Sequence, residues 1–87
     1  MERVQYIEVT VGEYERALGE EATECAGMAK DDAITVWADG VVETDVYVLS
    51  DRVGEEAWSY LADDDQPYAG FQRLAARSGA SIEAGYR

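Results

Sequence analysis

The sequence predicts an α+β domain, an antiparallel sheet with helices on one face and elements in the order β-α-β-β-α-β. Three observations carry that prediction. Residues Val4 to Val11 alternate in polarity, residues Gly12 to Ala29 repeat apolar or small side chains at helical spacing, and two β-branched and aromatic runs flank Asp39-Gly40.

In the first run Gln5, Ile7, Val9 and Val11 share one side and Val4, Tyr6, Glu8 and Thr10 the other, as in a half-buried strand. The following helix places Tyr14, Ala17, Leu18, Ala22, Cys25 and Ala26 on one stripe and Glu13, Glu20 and Glu24 on another face, with Gly19 and Gly27 as weak points. Ala33 to Ala38 and Val41 to Leu49 form a hairpin about Asp39-Gly40, a dipeptide that tolerates the positive φ angles of a tight turn. Ile34, Val36, Val42, Val46 and Val48 are expected to point inward, and Thr35, Trp37, Glu43, Asp45 and Tyr47 outward. Ser50 or Asp51 can cap a helix over Val53 to Leu61. Asp65 can cap another, with Pro67 near its first turn and Gly79 just past its end. Ser81 to Tyr86 reads as a last short strand, paired either within the chain or across a homodimer.

This order resembles that of split β-α-β, ferredoxin-like domains, which leave one face of the sheet open. Eighty-seven residues suffice for one domain, spanning 1–87, and for one modest core. No basic, apolar leader opens the sequence and no apolar run approaches the ~20 residues of a membrane span, so a soluble, cytoplasmic protein is expected. Cys25, the single cysteine, has no partner for an internal disulfide, which fits a reducing compartment.

Charge says most about function. Nineteen acids against seven bases, with no histidine, give a formal net charge of -12. Residues 1–66 hold eighteen acids against Arg3, Arg16, Lys30 and Arg52, and residues 67–87 hold Glu83 against Arg73, Arg77 and Arg87. The negative field therefore belongs to the first three quarters of the chain. It repels nucleic acid and anionic membranes and attracts basic protein surfaces. RNA-binding domains of similar layout surround their stacking aromatics with positive charge, so the acids mixed with Trp37, Tyr47 and Tyr6 have the wrong sign for direct nucleic-acid binding.

Catalysis is not expected. The commonest general base is missing, Cys25 sits on a core stripe, and neither a phosphate loop nor a nucleophile elbow is present. Asp63-Asp64-Asp65 offers oxygen ligands for a hard cation but lacks the remaining features of a calcium loop, so it reads as a solvated helix end. Neither a metal nor a cofactor is expected.

Glu13, Glu20 and Glu24 would lie about 10 and 6 Å apart along a helix at ~1.5 Å per residue, spacings comparable with those between backbone phosphates. Asp31, Asp32, Glu43, Asp45, Glu55, Glu56, Asp63, Asp64 and Asp65 would extend that surface, with Trp37 and Tyr47 either as aromatic anchors or packed under a terminal segment or a dimer partner. In size, acidity and lack of enzyme motifs the chain resembles the small acidic inhibitors encoded by bacteriophages, the anti-CRISPR and anti-restriction proteins that mimic nucleic acid. The resemblance implies inhibition of a basic nucleic-acid-binding complex through occupation of its DNA-binding surface, in the host cytoplasm and without a cofactor. Two other readings stay open. In one, the acidity is an adaptation to a high-salt cytoplasm in a small domain or subunit of another function; in the other, the chain forms a small oligomeric enzyme. A mimic concentrates acids on one surface, and salt adaptation spreads them over all exposed faces.

Overall fold

A computed structural model describes residues 3–19, 27–46, 48–50 and 69–86. Strand β1 (Arg3–Thr10) runs directly into helix α1 (Val11–Leu18). Strands β2 (Ala33–Trp37), β3 (Val42–Glu43) and β4 (Val48–Ser50), helix α2 (Ala69–Ser78) and strand β5 (Glu83–Tyr86) follow. The fold is α+β, with one antiparallel sheet in the order β4-β3-β2-β1-β5.

That order departs from the split β-α-β arrangement, in which another strand separates the two that the first helix joins. Here β1 and β2 are direct neighbours, from Tyr6 opposite Trp37 to Thr10 opposite Ala33. The cause lies at the start of α1. Thr10 is its N-cap and forms a capping box with Glu13. The Thr10 hydroxyl accepts from the Glu13 N–H at 3.1 Å, and the Glu13 carboxylate accepts from the Thr10 N–H at 2.8 Å. The next two N–H groups, of Val11 and Gly12, donate to the carbonyls of Asp32 and Lys30, each at 2.9 Å. A Cβ on Gly12 would stand 3.2 Å from the Lys30 carbonyl oxygen, so the small residue permits this approach. The returning chain is therefore pinned beside Thr10, and β2 has to begin where β1 ended.

Helix α1 is shorter than the periodicity predicts. Its C-cap is Gly19, at φ 64°, a conformation that ends the helix at low cost only in glycine, and residues 27–31 form turns. A continuous helix to Ala29 is thus corrected. Helix α2 ends as expected, with the Gly79 N–H donating to the Ala76 carbonyl and the Ala80 N–H to that of Ala75, the two bonds of a Schellman motif. The expected helix over Val53–Leu61, the Asp65 cap and Pro67 lie outside the described residues.

Facing the helices, Val42, Val36 and Ile7 pair across three strands and are fully buried, with Ile34 and Val9 forming the next pair. Tyr14, Ala17 and Leu18 of α1 and Phe71, Leu74 and Ala75 of α2 complete one core with them. Each fully buried large aliphatic or Phe side chain contributes roughly 1.5–3 kcal/mol, so the core outweighs any single cap. Arg77 fastens the helices by donating from Nη1 to the Ala17 carbonyl at 3.1 Å, which satisfies one of the terminal acceptors of α1.

The hairpin forms, but with a three-residue loop in place of two. The Gly40 N–H donates to the Trp37 carbonyl and the Trp37 N–H to the Val41 carbonyl, with Gly40 at φ 103°. Its second arm is interrupted after Glu43. The Thr44 hydroxyl accepts from the Val46 N–H at 3.1 Å, a local bond that competes with the ladder, and pairing resumes at Val48 with an irregular register. Val46 and Val48, expected inward, are instead 81% and 52% exposed.

The helix ends lead to three stability predictions. Thr10→Ala should cost about 1 kcal/mol, within the 0.5–2 kcal/mol typical of lost N-caps, read by urea denaturation. The bonds from the Thr10 backbone N–H, and next from its hydroxyl, hold the Glu13 carboxyl below its ordinary pKa. A depressed folded-state pKa means stability that is present above the unfolded-state value and is lost as pH falls through the folded one. The stability difference between wild type and Glu13→Gln should therefore shrink across that acidic window, and a difference independent of pH would refute the linkage. Ser78 is buried, and its hydroxyl has no hydrogen-bond partner among the described residues. Ser78→Ala should be neutral or stabilising by up to about 1 kcal/mol, seen as an unchanged or higher urea midpoint.

Candidate functional site

Away from the helices, β1 and β2 set Tyr6 opposite Trp37 and Glu8 opposite Thr35, and β3 adds Glu43 opposite Thr35. Expectations for this face hold for position but not for exposure. Trp37 is only 8% exposed, and its ring lies 4.8 Å from that of Tyr6 at an interplanar angle of 46°, within the geometry that stabilises aromatic pairs. Its indole Nε1 donates to the Glu43 carboxylate at 2.9 Å. The terminal strand β5 approaches from the other side, where a Cβ on Gly85 would come within 3.3 Å of the Trp37 ring and 3.1 Å of the Tyr6 ring. Trp37 is thus a core residue packed against the terminal strand, the second of the two expectations for it, and not an exposed anchor. Glu43 is half-buried and bonded to it.

Other acids remain exposed. Beside Ile34 and Thr35 lies a groove of about 420 Å³. Its rim carries Glu8 from β1, Asp32 from the turn before β2, and Asp45 from the break after β3. Thr44 and Val46 of that break and Met28 of the opposing turn complete the walls with Ala33. Among the described residues, no lysine or arginine lines it. The break that exposes Val46 therefore also brings Asp45 to the groove, and the hydrogen bonds that start α1 also place Asp32 there.

The predicted site residues divide three ways. Asp31, Asp32 and Asp45 are exposed, and the last two share the groove. Glu13, Glu43 and Trp37 have structural engagements. Glu20, Glu24, Tyr47, Glu55, Glu56, Asp63, Asp64 and Asp65 lie outside the described residues, and the uninterrupted helix that was to carry Glu20 and Glu24 with Glu13 ends at Leu18. Sequence reasoning placed Glu8 on the open face without assigning it to the site, and it missed Thr35, Thr44, Met28 and Val46. The alternation showed Glu8 beside Thr35, but the contribution of residues 44–46 depends on a strand break that alternation does not encode.

Among the described residues, no three acidic or sulfur side chains gather so as to hold a metal ion, and no helix is long and apolar enough to cross a membrane. Comparisons with protein-family models, with curated proteins and with solved structures find no match to this chain.

The placement of Trp37 has a direct test. Trp37→Ala should destabilise the fold by about 3–5 kcal/mol, the usual cost of truncating a buried aromatic, read by circular dichroism during urea titration. A variant as stable as wild type would return Trp37 to the surface.

Proposed function

We propose that this chain is a non-catalytic acidic binding protein that inhibits a basic nucleic-acid-binding protein complex, for example a CRISPR surveillance complex, by occupying its DNA-binding surface. One observation carries the proposal. Glu8, Asp32 and Asp45, drawn from three separate segments, line one groove that has no base among its described lining residues, in a chain of net charge -12. Asp31 adds a further exposed carboxylate next to Asp32.

Two of the five described bases support this reading by their engagement elsewhere. Lys30 pairs with Glu15 on α1, and Arg77 bonds the Ala17 carbonyl. Neither lines the groove. Exposed carboxylates attract a basic partner over roughly the Debye length, about 10 Å at 0.1 M salt, and give fast, salt-sensitive association. Duplex DNA presents one charge per roughly 1.7 Å of axis, so a domain that competes for the same lysines and arginines excludes DNA by mass action.

The test is affinity capture with the tagged full chain from host lysate at low and high salt, followed by displacement with duplex DNA. Retention of a nucleic-acid-binding complex that high salt releases and DNA displaces is the expected result. A chain that folds only in molar salt and retains no such complex would overturn the proposal and assign the acidity to habitat.

A further inference from the structure

Among the described strands the sheet has two edges, and they are built differently. Strand β4, at one end, is three residues long and joins β3 with an irregular register. At the other end β5 pairs regularly with β1, from Arg3 opposite Tyr86 to Tyr6 opposite Glu83, and β1 is its one neighbour in the sheet order. Native sheet edges are commonly blunted by bulges, prolines or lysines. None of these occurs along Glu83–Tyr86. The side chains there are open as well. Glu83 and Ala84 are exposed, Tyr86 is 64% exposed, and Ile82, just before the strand, is 38% exposed. We propose that this edge pairs with the same edge of a second copy of the chain, antiparallel about a two-fold axis at Ala84, so that two sheets join into one.

Strand parity gives the edge two unlike faces. Gly85 faces the rings of Tyr6 and Trp37, so Ala84 and Tyr86 point to the opposite face, and Ile82 has their parity. The exposed row Ile82, Ala84, Tyr86 runs large, small, large, and such a row complements its own reverse. With the axis at Ala84, Ile82 of each copy stands opposite Tyr86 of the other. That is a β-branched and aromatic pair of the kind that stabilises antiparallel ladders, and the symmetry forms it twice. On the other face Glu83 stands opposite Gly85 of the second copy, so no like charges are directly paired.

Charge selects the same end of the molecule. Residues 1–66 carry eighteen of the nineteen acids, whereas residues 67–87 hold three arginines and Glu83 alone, and Arg3 lies next to β5 on β1. Two copies of net charge -12 repel wherever their acidic surfaces meet, and contact through β5 joins the least acidic part of each chain. A four-residue strand is small beside the roughly 20–30 residues a side of a standard interface, so the dimer is a weak one that forms at high protein concentration.

The experiment follows the full chain from micromolar to millimolar concentration by sedimentation equilibrium, in about 0.1 M and about 1 M sodium chloride, between which the Debye length falls from about 10 to 3 Å. A monomer–dimer equilibrium that salt strengthens is the expected result, because screening relieves the repulsion between two acidic copies. Capture of a basic complex has the opposite salt dependence, so the two associations succeed or fail separately. In NMR spectra of the labelled wild-type chain, the amides of Ile82 to Tyr86 should move with protein concentration. Ala84→Lys makes the chain less acidic yet sets two like charges face to face at the axis, and should weaken the dimer by at least about tenfold. Tyr86→Ser should weaken it by roughly tenfold, since symmetry removes the contact with Ile82 twice. An unshifted Trp37 indole N–H, which donates to Glu43 beneath Gly85, shows in each variant that β5 is still docked. A chain that stays monomeric at millimolar concentration in high salt would overturn the proposal. So would a dimer that salt weakens, one whose concentration-dependent shifts lie away from β5, or one that both substitutions leave unchanged.

Discussion

Every N–H at the start of α1 has an acceptor, and the manner in which this is achieved governs the rest of the sheet. The capping box uses side chains for the N–H groups of Thr10 and Glu13, but those of Val11 and Gly12 depend on the carbonyls of Asp32 and Lys30, far later in the chain. A buried donor left unpaired costs about 1–3 kcal/mol, so two long-range bonds constrain the loop as firmly as a buried aliphatic contact does. Lys30 adds its pairing with Glu15. With Lys30 and Asp32 fixed over the helix start, Ala33 must face Thr10, and β2 must run back antiparallel along β1. The same bonds leave no open N–H at this terminus for an anion and hold the Asp32 backbone at the edge of the groove.

Much of the fold was legible because its elements follow local rules. Alternation marked β1 and β2, helical spacing marked α1, the Asp39-Gly40 dipeptide marked the hairpin, and Gly79 marked the end of α2. What alternation and spacing lacked was any record of long-range hydrogen bonds. The periodic stripe ran on past Gly19, although the chain leaves helical geometry there. Strand order was illegible for a similar reason. The pattern β-α-β-β-α-β is compatible with a strand inserted between the first two, and the direct β1–β2 ladder, together with the bonds from Val11 and Gly12 to the returning loop, decides against it.

The site was legible in its charge and much less so in its geometry. Acid counts identified the sign of the surface, and Asp31, Asp32 and Asp45 are exposed as expected. An aromatic on an outward strand position was a poorer guide. Trp37 does stand on the face away from the helices, yet it is covered there, because its ring is large enough to span Tyr6, Glu43 and the glycine of β5. Strand parity assigns a residue to a face but says nothing about what lies over that face. The reverse error befell Val46, whose parity indicated the core but whose segment leaves the ladder through the Thr44 bond.

Acids and bases also serve different ends in this molecule. Lys30 ties a loop to a helix and Arg77 ties one helix to the other, so at least two of the seven bases are engaged in structural contacts. Among the acids, Glu13 caps a helix and Glu43 accepts from an indole, both within the fold. Glu8, Asp32 and Asp45 instead line a groove with no base among its described residues. Like charges brought together weaken a folded domain, and a small core has little stability to spare. Three separate segments nevertheless deliver carboxylates to the same place. That is a poor arrangement for stability alone, and a good one if the missing positive charge arrives with another protein.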